Sequence, residues 1–278
     1  MKTLLVALFP DDDHAAILDA VAAVAETQKA HVIGYMPIPG PTYIPVATPE
    51  VVIPMDDSMK RRFEALRPDI RDAFAKRMDA AGLSNDFVSD EPGGQDLMFG
   101  VAGHGRTVDM IVMPMHASDG EIEARDAGEI ASLVMAAGRP VLVLPPDLEP
   151  GYTLDVALVA WNGSREAARA AYDAVPVLKD ATETDVVWID PGGTLLGEAD
   201  APGAEIGNVL ARHGINVNVR ALNSATTAED TLMEAVRGRA ADLLVLGAYG
   251  RSRLRERILG GMTEHVLRRM PCPVLLSN

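Results

Sequence analysis

One stretch of this 278-residue chain has the residue types and spacing to hold an anion. An apolar run, Asp242 to Gly247, ends at glycine. Gly250 follows, then a loop with four arginines (251, 253, 255 and 257). Gly260 and Gly261 then open an amphipathic stretch that begins Met262-Thr263. Glycines let the backbone approach an anion and turn N–H groups toward it. A helix starting there adds free amides and about half a positive charge. Met262 supplies a further amide, Thr263 a hydroxyl, and Arg251 is the arginine taken to reach a ligand. The chemistry is phosphate binding. The same glycines also suit an ordinary strand-to-helix loop, and alternating arginines also suit a solvated surface. The spacing is neither G-x-x-x-x-G-K-[ST] nor G-x-G-x-x-G, which disfavours a P-loop ATPase and a nicotinamide dehydrogenase.

Other chemical candidates read more plainly. Asp11-Asp12-Asp13-His14 could collect a hard cation, but such residues more often cap and charge-match a helix that begins there. His116 with Asp119, Glu121 and Glu123 reads as a solvated acidic loop. No H-E-x-x-H, paired C-x-x-C or G-x-S-x-G occurs, so neither a zinc site nor a nucleophile elbow is supported. Cys272, between two prolines, reads as a buried small residue, and Met110, Met113 and Met115 as core. Trp161 either stacks a base or packs.

The elements that must position these groups come in two copies. Gly105 to Met113 reads like Gly238 to Leu246, an offset of 133 that continues to Pro140-Val-Leu-Val143 against Pro273-Val-Leu-Leu276. Leu4 to Asp13 likewise reads like Asp155 to Ser164. Prolines and glycine over 145–151 break the chain between a domain at 1–147 and a second at 151–278. Strands are expected near 3–9, 31–36, 85–89, 109–114 and 140–144, and near 154–160, 184–189, 216–222, 242–247 and 273–277. Helices are expected near 13–28, 58–80, 94–103 and 127–137, and near 164–177, 201–213, 226–238 and 260–270. Continuously apolar strands between amphipathic helices imply an α/β fold: two tandem doubly wound, Rossmann-like domains, each with a five-stranded parallel sheet. Ligands in such sheets sit beyond the carboxyl ends of the strands. The apolar strands 140–144 and 273–277 are expected to pair with each other in an internal pseudo-dimer, since bare sheet edges are usually covered. Pro37 to Pro54, with its six prolines, reads as a stiff surface excursion or a lid.

Gly247-x2-Gly250-x9-Gly260, followed by a proline-valine final strand, resembles the signature of the universal stress protein family. Val159-Ala-Trp-Asn-Gly-Ser164 resembles that family's first-strand motif. The resemblance covers the second half end to end and the first half more faintly. It implies strand order 3-2-1-4-5 and, in one branch of the family, a bound ATP, alone or with Mg2+. It also implies that Gly247, Gly250, Gly260, Gly261, Met262 and Thr263 hold ribose and phosphates. Asn162 would face the nucleoside with Ala160 and Ser164 beside it, and the Trp188 backbone would meet adenine. Two positions depart from the pattern. Gly261 stands for a Ser/Thr, and Asn162 for an Asp. In the first half Pro114, Ala117 and Ala127 replace the three glycines among acidic residues, so that copy is expected to bind no nucleotide.

The formal charge of −15 divides as −12 over 1–150 and −3 over 151–278. So acidic a chain disfavours DNA and RNA, and no apolar run approaches a membrane span. A single cysteine and the absence of a leader-like segment point to the cytoplasm. The expectation is an adenine-nucleotide-binding stress-response module, with at most slow incidental ATP hydrolysis and a possible further homodimer. The alternatives are an interaction protein that binds no nucleotide and an ATP-consuming enzyme of the adenylating type.

Overall fold

The computed structural model describes residues 1–40, 43–45, 52–54, 58–92, 97–118, 121–122, 124–190, 202–224, 226–248 and 261–278. In the first half, β1 (Thr3–Ala7), α1 (His14–Gln28) and β2 (His31–Pro37) are followed by a small hairpin, β3 (Tyr43–Pro45) and β4 (Val52–Pro54). Then come α2 (Ser58–Ala80), β5 (Asn85–Asp90), α3 (Leu97–Gly105) and β6 (Met110–Pro114). A second hairpin, β7 (Ala117–Ser118) and β8 (Glu121–Ile122), precedes α4 (Ala124–Ala137) and β9 (Val141–Leu144). The second half runs β10 (Val156–Trp161), α5 (Arg165–Leu178), β11 (Glu183–Asp190), α6 (Ala204–Arg212), β12 (Val217–Asn223), α7 (Ala228–Gly238), β13 (Leu243–Gly247), α8 (Gly261–Arg268) and β14 (Val274–Ser277). Neither hairpin was legible beforehand. One lies in the proline-rich stretch, whose residues 41–42 and 46–51 fall outside the described residues.

Ten strands form one sheet in the order β12-β11-β10-β13-β14-β9-β6-β1-β2-β5. Each half has the order 3-2-1-4-5 expected of it. The halves meet where β14 pairs antiparallel with β9, Val274 opposite Val143, Leu275 opposite Leu142 and Leu276 opposite Val141. Every other pairing in this sheet is parallel. The carboxyl ends of the first-half strands therefore lie on the opposite edge of the sheet from those of the second half.

Strand alternation sorts the core into two layers, and both run through the junction. On one face Val6, Val112, Leu142, Leu275, Val245 and Val159 pack under α1, α2, α5 and α6. On the other Leu5, Ile111, Val143, Leu276, Leu244 and Leu158 pack under α3, α4, α7 and α8. Gln28, at the end of α1, donates to the Pro176 carbonyl at 2.9 Å and to Asp180 at 2.6 Å, stitching α1 to α5 across the halves. Met110, Met113 and Met115 are all buried, as the pattern predicts.

The duplication also shows in an aspartate lock. Asp242 accepts from the Asp155 and Val156 amides at 2.9 and 2.8 Å, pinning the start of β10 to β13. Its counterpart Asp109 accepts from the Lys2 and Thr3 amides at 2.5 and 3.0 Å. These locks correct the sequence alignment of the first strands. Leu4 pairs with Met110, and Ala157 with Leu243, so Leu4 matches Ala157 and not Asp155. The helices that follow, capped by Asp13 and Ser164, keep the original alignment. The first-half β1–α1 loop is therefore two residues longer, a difference that an ungapped comparison absorbs by sliding the strand.

Asp109 is held below the usual carboxylate range, first by the Lys2 amide, with the Thr3 amide, the N-terminal ammonium and Arg139 adding to it and burial opposing. Its contribution is complete above the ordinary aspartate range and is lost as pH falls through it. For the second-half lock, hydrogen bonds to a charged acceptor are worth roughly 1.5–3 kcal/mol each. Asp242→Ala should cost about 3 kcal/mol, measured as a lowered urea midpoint; an unchanged midpoint would show that the lock carries no weight.

Candidate functional site

At the second-half edge, β10 ends in Ala160-Trp161, β11 near Trp188 and β13 at Gly247, and α5 and α8 both begin there. The strand order reverses between β10's two neighbours, β11 and β13, which is where doubly wound sheets bind ligands.

The turn between β10 and α5 is built by its own side chains. Asn162 Oδ1 accepts from the Ser164 amide at 3.0 Å, and Gly163 takes φ +71°. Ser164, with extended backbone at φ −76° and ψ 163°, caps α5 by accepting from the Ala167 amide at 3.1 Å. The carboxamide oxygen of Asn162 and the hydroxyl of Ser164 are thus engaged in shaping the helix start.

Gly247 has a stronger reason to be glycine than closeness to a ligand. A Cβ there would overlap the Ala167 nitrogen and the Glu166 carbonyl carbon in the first turn of α5, and would stand 2.7 Å from the Glu166 oxygen. The absence of a side chain lets α5 seat its N-terminus directly on the end of β13. Beyond it, the Ala248 amide donates to the Ser277 carbonyl at 2.8 Å and Asn278 donates to the Ala248 carbonyl at 2.7 Å. Ser277 in turn donates to Asp173 of α5 at 2.8 Å. The strand ends and α5 form a single hydrogen-bonded platform.

At the start of α8, Gly261 is exposed, Met262 packs against the core and Thr263 is buried. Trp161 packs in the core layer, its Cδ1 3.3 Å from the place of a Cβ on Gly203. Trp188, half-buried, is its register partner. Ala160, Asn162, Ser164, Trp188, Gly247, Gly261, Met262 and Thr263 therefore share one edge of the sheet. Gly250, Arg251 and Gly260, with the remaining loop arginines, lie outside the described residues.

The first-half edge is a different place. A cavity of about 200 Å³ is lined by Asp11, Asp12, Asp13, Pro114, Met115, His116 and the prolines 145 and 146. Asp13 caps α1 by accepting from the Ala15 amide at 3.1 Å, as expected of a helix-start carboxylate. Asp11 pairs with Arg62, and Asp12 accepts from the Phe9 amide at 3.2 Å. Among the described residues, no group of three His, Cys, Asp or Glu is placed to hold a metal ion. Asp119 and Glu123 of the acidic loop lie outside the described residues.

Sequence reasoning missed a polar cluster at the carboxyl ends of β2 and β5. The buried Tyr35 hydroxyl donates to Asp90 at 2.7 Å, and His104 Nε2 meets the other Asp90 oxygen at 2.9 Å. The Tyr35 and His104 rings are in contact, centroids 4.4 Å apart and tilted by 39°. Burial alone would raise the Asp90 pKa, but the Tyr35 and His104 hydrogen bonds and the His104 charge outweigh it, so the carboxyl sits below its ordinary range. The one hint available was Gly100, where a Cβ would overlap the Tyr35 hydroxyl. Cys272 is buried, and burial beside Asp242 pushes its thiol up to about 12, which makes it chemically inert at neutral pH.

Fold and edge together define a tandem α/β protein with two helix starts gathered at a strand-order reversal. Residues 154–278 match the universal stress protein family. Universal stress protein Slr1230 from Synechocystis is 37% identical over 150 residues, 51% of this chain and 48% of that protein. The chain thus spans about half the length of this curated relative. The crystal structure of a universal stress protein from Archaeoglobus fulgidus superposes with a TM-score of 0.75 at 18% identity, covering 99% of this chain and 98% of that one. The cytoplasmic domain of a prokaryotic cation chloride cotransporter shares the fold with a TM-score of 0.54 at 13% identity, covering 99% and 94%.

Two outcomes test this description. Gly247→Ala forces α5 off β13, an overpacking that typically costs about 1–3 kcal/mol or more; it should lower Tm by several degrees, and an unchanged Tm would refute the contact. Burial pushes the Asp12 carboxyl up to about 7, with the Phe9 amide opposing and Asp11 repulsion adding. The folded chain then holds a proton that the unfolded chain releases, so this group's effect on stability grows less favourable as pH rises from about 4 to 7. Asp12→Asn should raise Tm by a few degrees at about pH 8 and leave it unchanged at about pH 4.

Proposed function

We propose that the second half binds an adenine nucleotide, ATP alone or with Mg2+, and that the chain serves as a cytoplasmic stress-response binding module and not as a defined enzyme. The observation that carries this reading is the pairing of Gly247 with the start of α5, together with the exposed Gly261 at the start of α8. Two helix N-termini, each with partial positive charge, are thereby set at the carboxyl edge beside the strand-order reversal. Phosphates would lie against the start of α8, and Gly250, Arg251 and Gly260 remain the sequence's further candidates to bind them. The nucleoside would lie along the ends of β10 and β11, over Ala160, Asn162 and Trp188. The family match over residues 154–278 supports the same placement.

Binding by this half is expected to be weak. Gly261 offers an amide but no hydroxyl, a loss worth about tenfold to a hundredfold. Asn162 and Ser164 have already committed hydrogen bonds to the α5 cap. The first half is assigned no nucleotide, because three aspartates line the cavity at its strand ends and would repel phosphate. Among the described residues, no helix is long and apolar enough to cross a membrane.

Calorimetric titration with ATP should show saturable heat in the millimolar range or below. Gly261→Asp places a carboxylate at the start of α8, where it suits the helix but repels phosphate. It should weaken ATP by about tenfold or more while the far-ultraviolet circular dichroism is retained. No heat from the parent chain at millimolar ATP, or undiminished binding by the variant, would overturn the assignment.

A further inference from the structure

Glu229, in the first turn of α7, brings a carboxylate to the start of α8. Its Oε1 lies 3.4 Å from the place a Cβ on Gly261 would occupy. The position of Glu229 is fixed by the helix it sits on, since Thr227 caps α7 through the Asp230 amide at 3.1 Å. Among the described residues, Arg269 and His265 meet its neighbour Asp230 at 3.2 and 3.3 Å. Glu229 is therefore an anion held against a helix N-terminus, the electrostatic position a phosphate would take. A Cβ on Gly261 would lie in ordinary van der Waals contact with this carboxylate, so the two positions are immediate neighbours.

We propose that Glu229 is a resident anion at the start of α8 that sets how much phosphate charge the second-half site accepts. The inference rests on the nucleotide reading of that site and specifies its selectivity. A carboxylate beside bound phosphates opposes each added negative charge and leaves an uncharged nucleoside untouched. It thus narrows the affinity gap between ATP and adenosine. The residue is specificity-determining and takes part in no chemical step.

The test is calorimetry on the full chain and on Glu229→Gln, with adenosine, AMP and ATP, without divalent cations and at low salt. Glu229→Gln should bind ATP about tenfold more tightly, as expected for losing one unit charge a few ångströms from the phosphates at intermediate dielectric. AMP should gain less, and adenosine should stay within about twofold. The ATP gain should shrink as salt is added. Glu229→Asp, which withdraws the carboxylate by one methylene, should fall between the two; a folding defect would instead weaken all three ligands in both variants. ATP affinity that is unchanged or weaker in Glu229→Gln, with adenosine still bound by the parent, overturns the role of Glu229 alone. A parent chain that binds none of the three overturns the nucleotide reading and this inference with it.

Discussion

The antiparallel pairing of β9 with β14 is the constraint on which the rest of the molecule depends. It turns two five-stranded sheets into one of ten, and it buries the last strand of each half, which would otherwise be an exposed apolar edge. Leu142 and Leu275 meet in one layer, and Val143 and Val274 meet in the other, so neither half owns its core outright. The alanines of α1 and α5 belong to the same buried layer, and Gln28 ties the ends of these helices together. Either half taken alone would expose the apolar seam that its partner now covers.

The same pairing explains how two copies came to differ so far. Because the strands of the halves run in opposite senses across the junction, their carboxyl ends open on opposite edges of the sheet. The first half has a β1–α1 loop two residues longer, bringing Asp11 and Asp12 into the cavity at its strand ends, with Pro114 where the second half has Gly247. At that second-half position glycine is demanded by the backbone of α5, whatever ligand follows. The division of charge into −12 and −3 along the chain thus has a local meaning. Carboxylates line the cavity at the strand ends of one copy, while the other sets two helix starts at its edge.

Much of the fold was legible because parallel strands buried on both faces leave continuous apolar runs, and the duplication lets each half check the other. The ten strands of the main sheet follow from that pattern, their order from the family resemblance, and the junction from the need to cover a bare apolar edge. The two hairpins were not legible, since β7 and β8 have two residues each and β3 and β4 end in prolines. The slide of two residues between the first strands was hidden because an ungapped alignment holds the loop fixed. At the site, the glycines and helix starts could be read from spacing. The engagement of Asn162 and Ser164 in a cap, the packing of Trp161 and the approach of Glu229 to Gly261 could not. They depend on contacts between segments far apart in the chain, as does the Tyr35–Asp90–His104 cluster, and no local periodicity records such contacts.

The central claim is that one edge of a two-edged molecule takes a nucleotide. Equilibrium dialysis of radiolabelled ATP against the full chain counts the sites directly. The account predicts a plateau at one ATP per chain. A plateau at two, or no uptake at millimolar ATP, would contradict it.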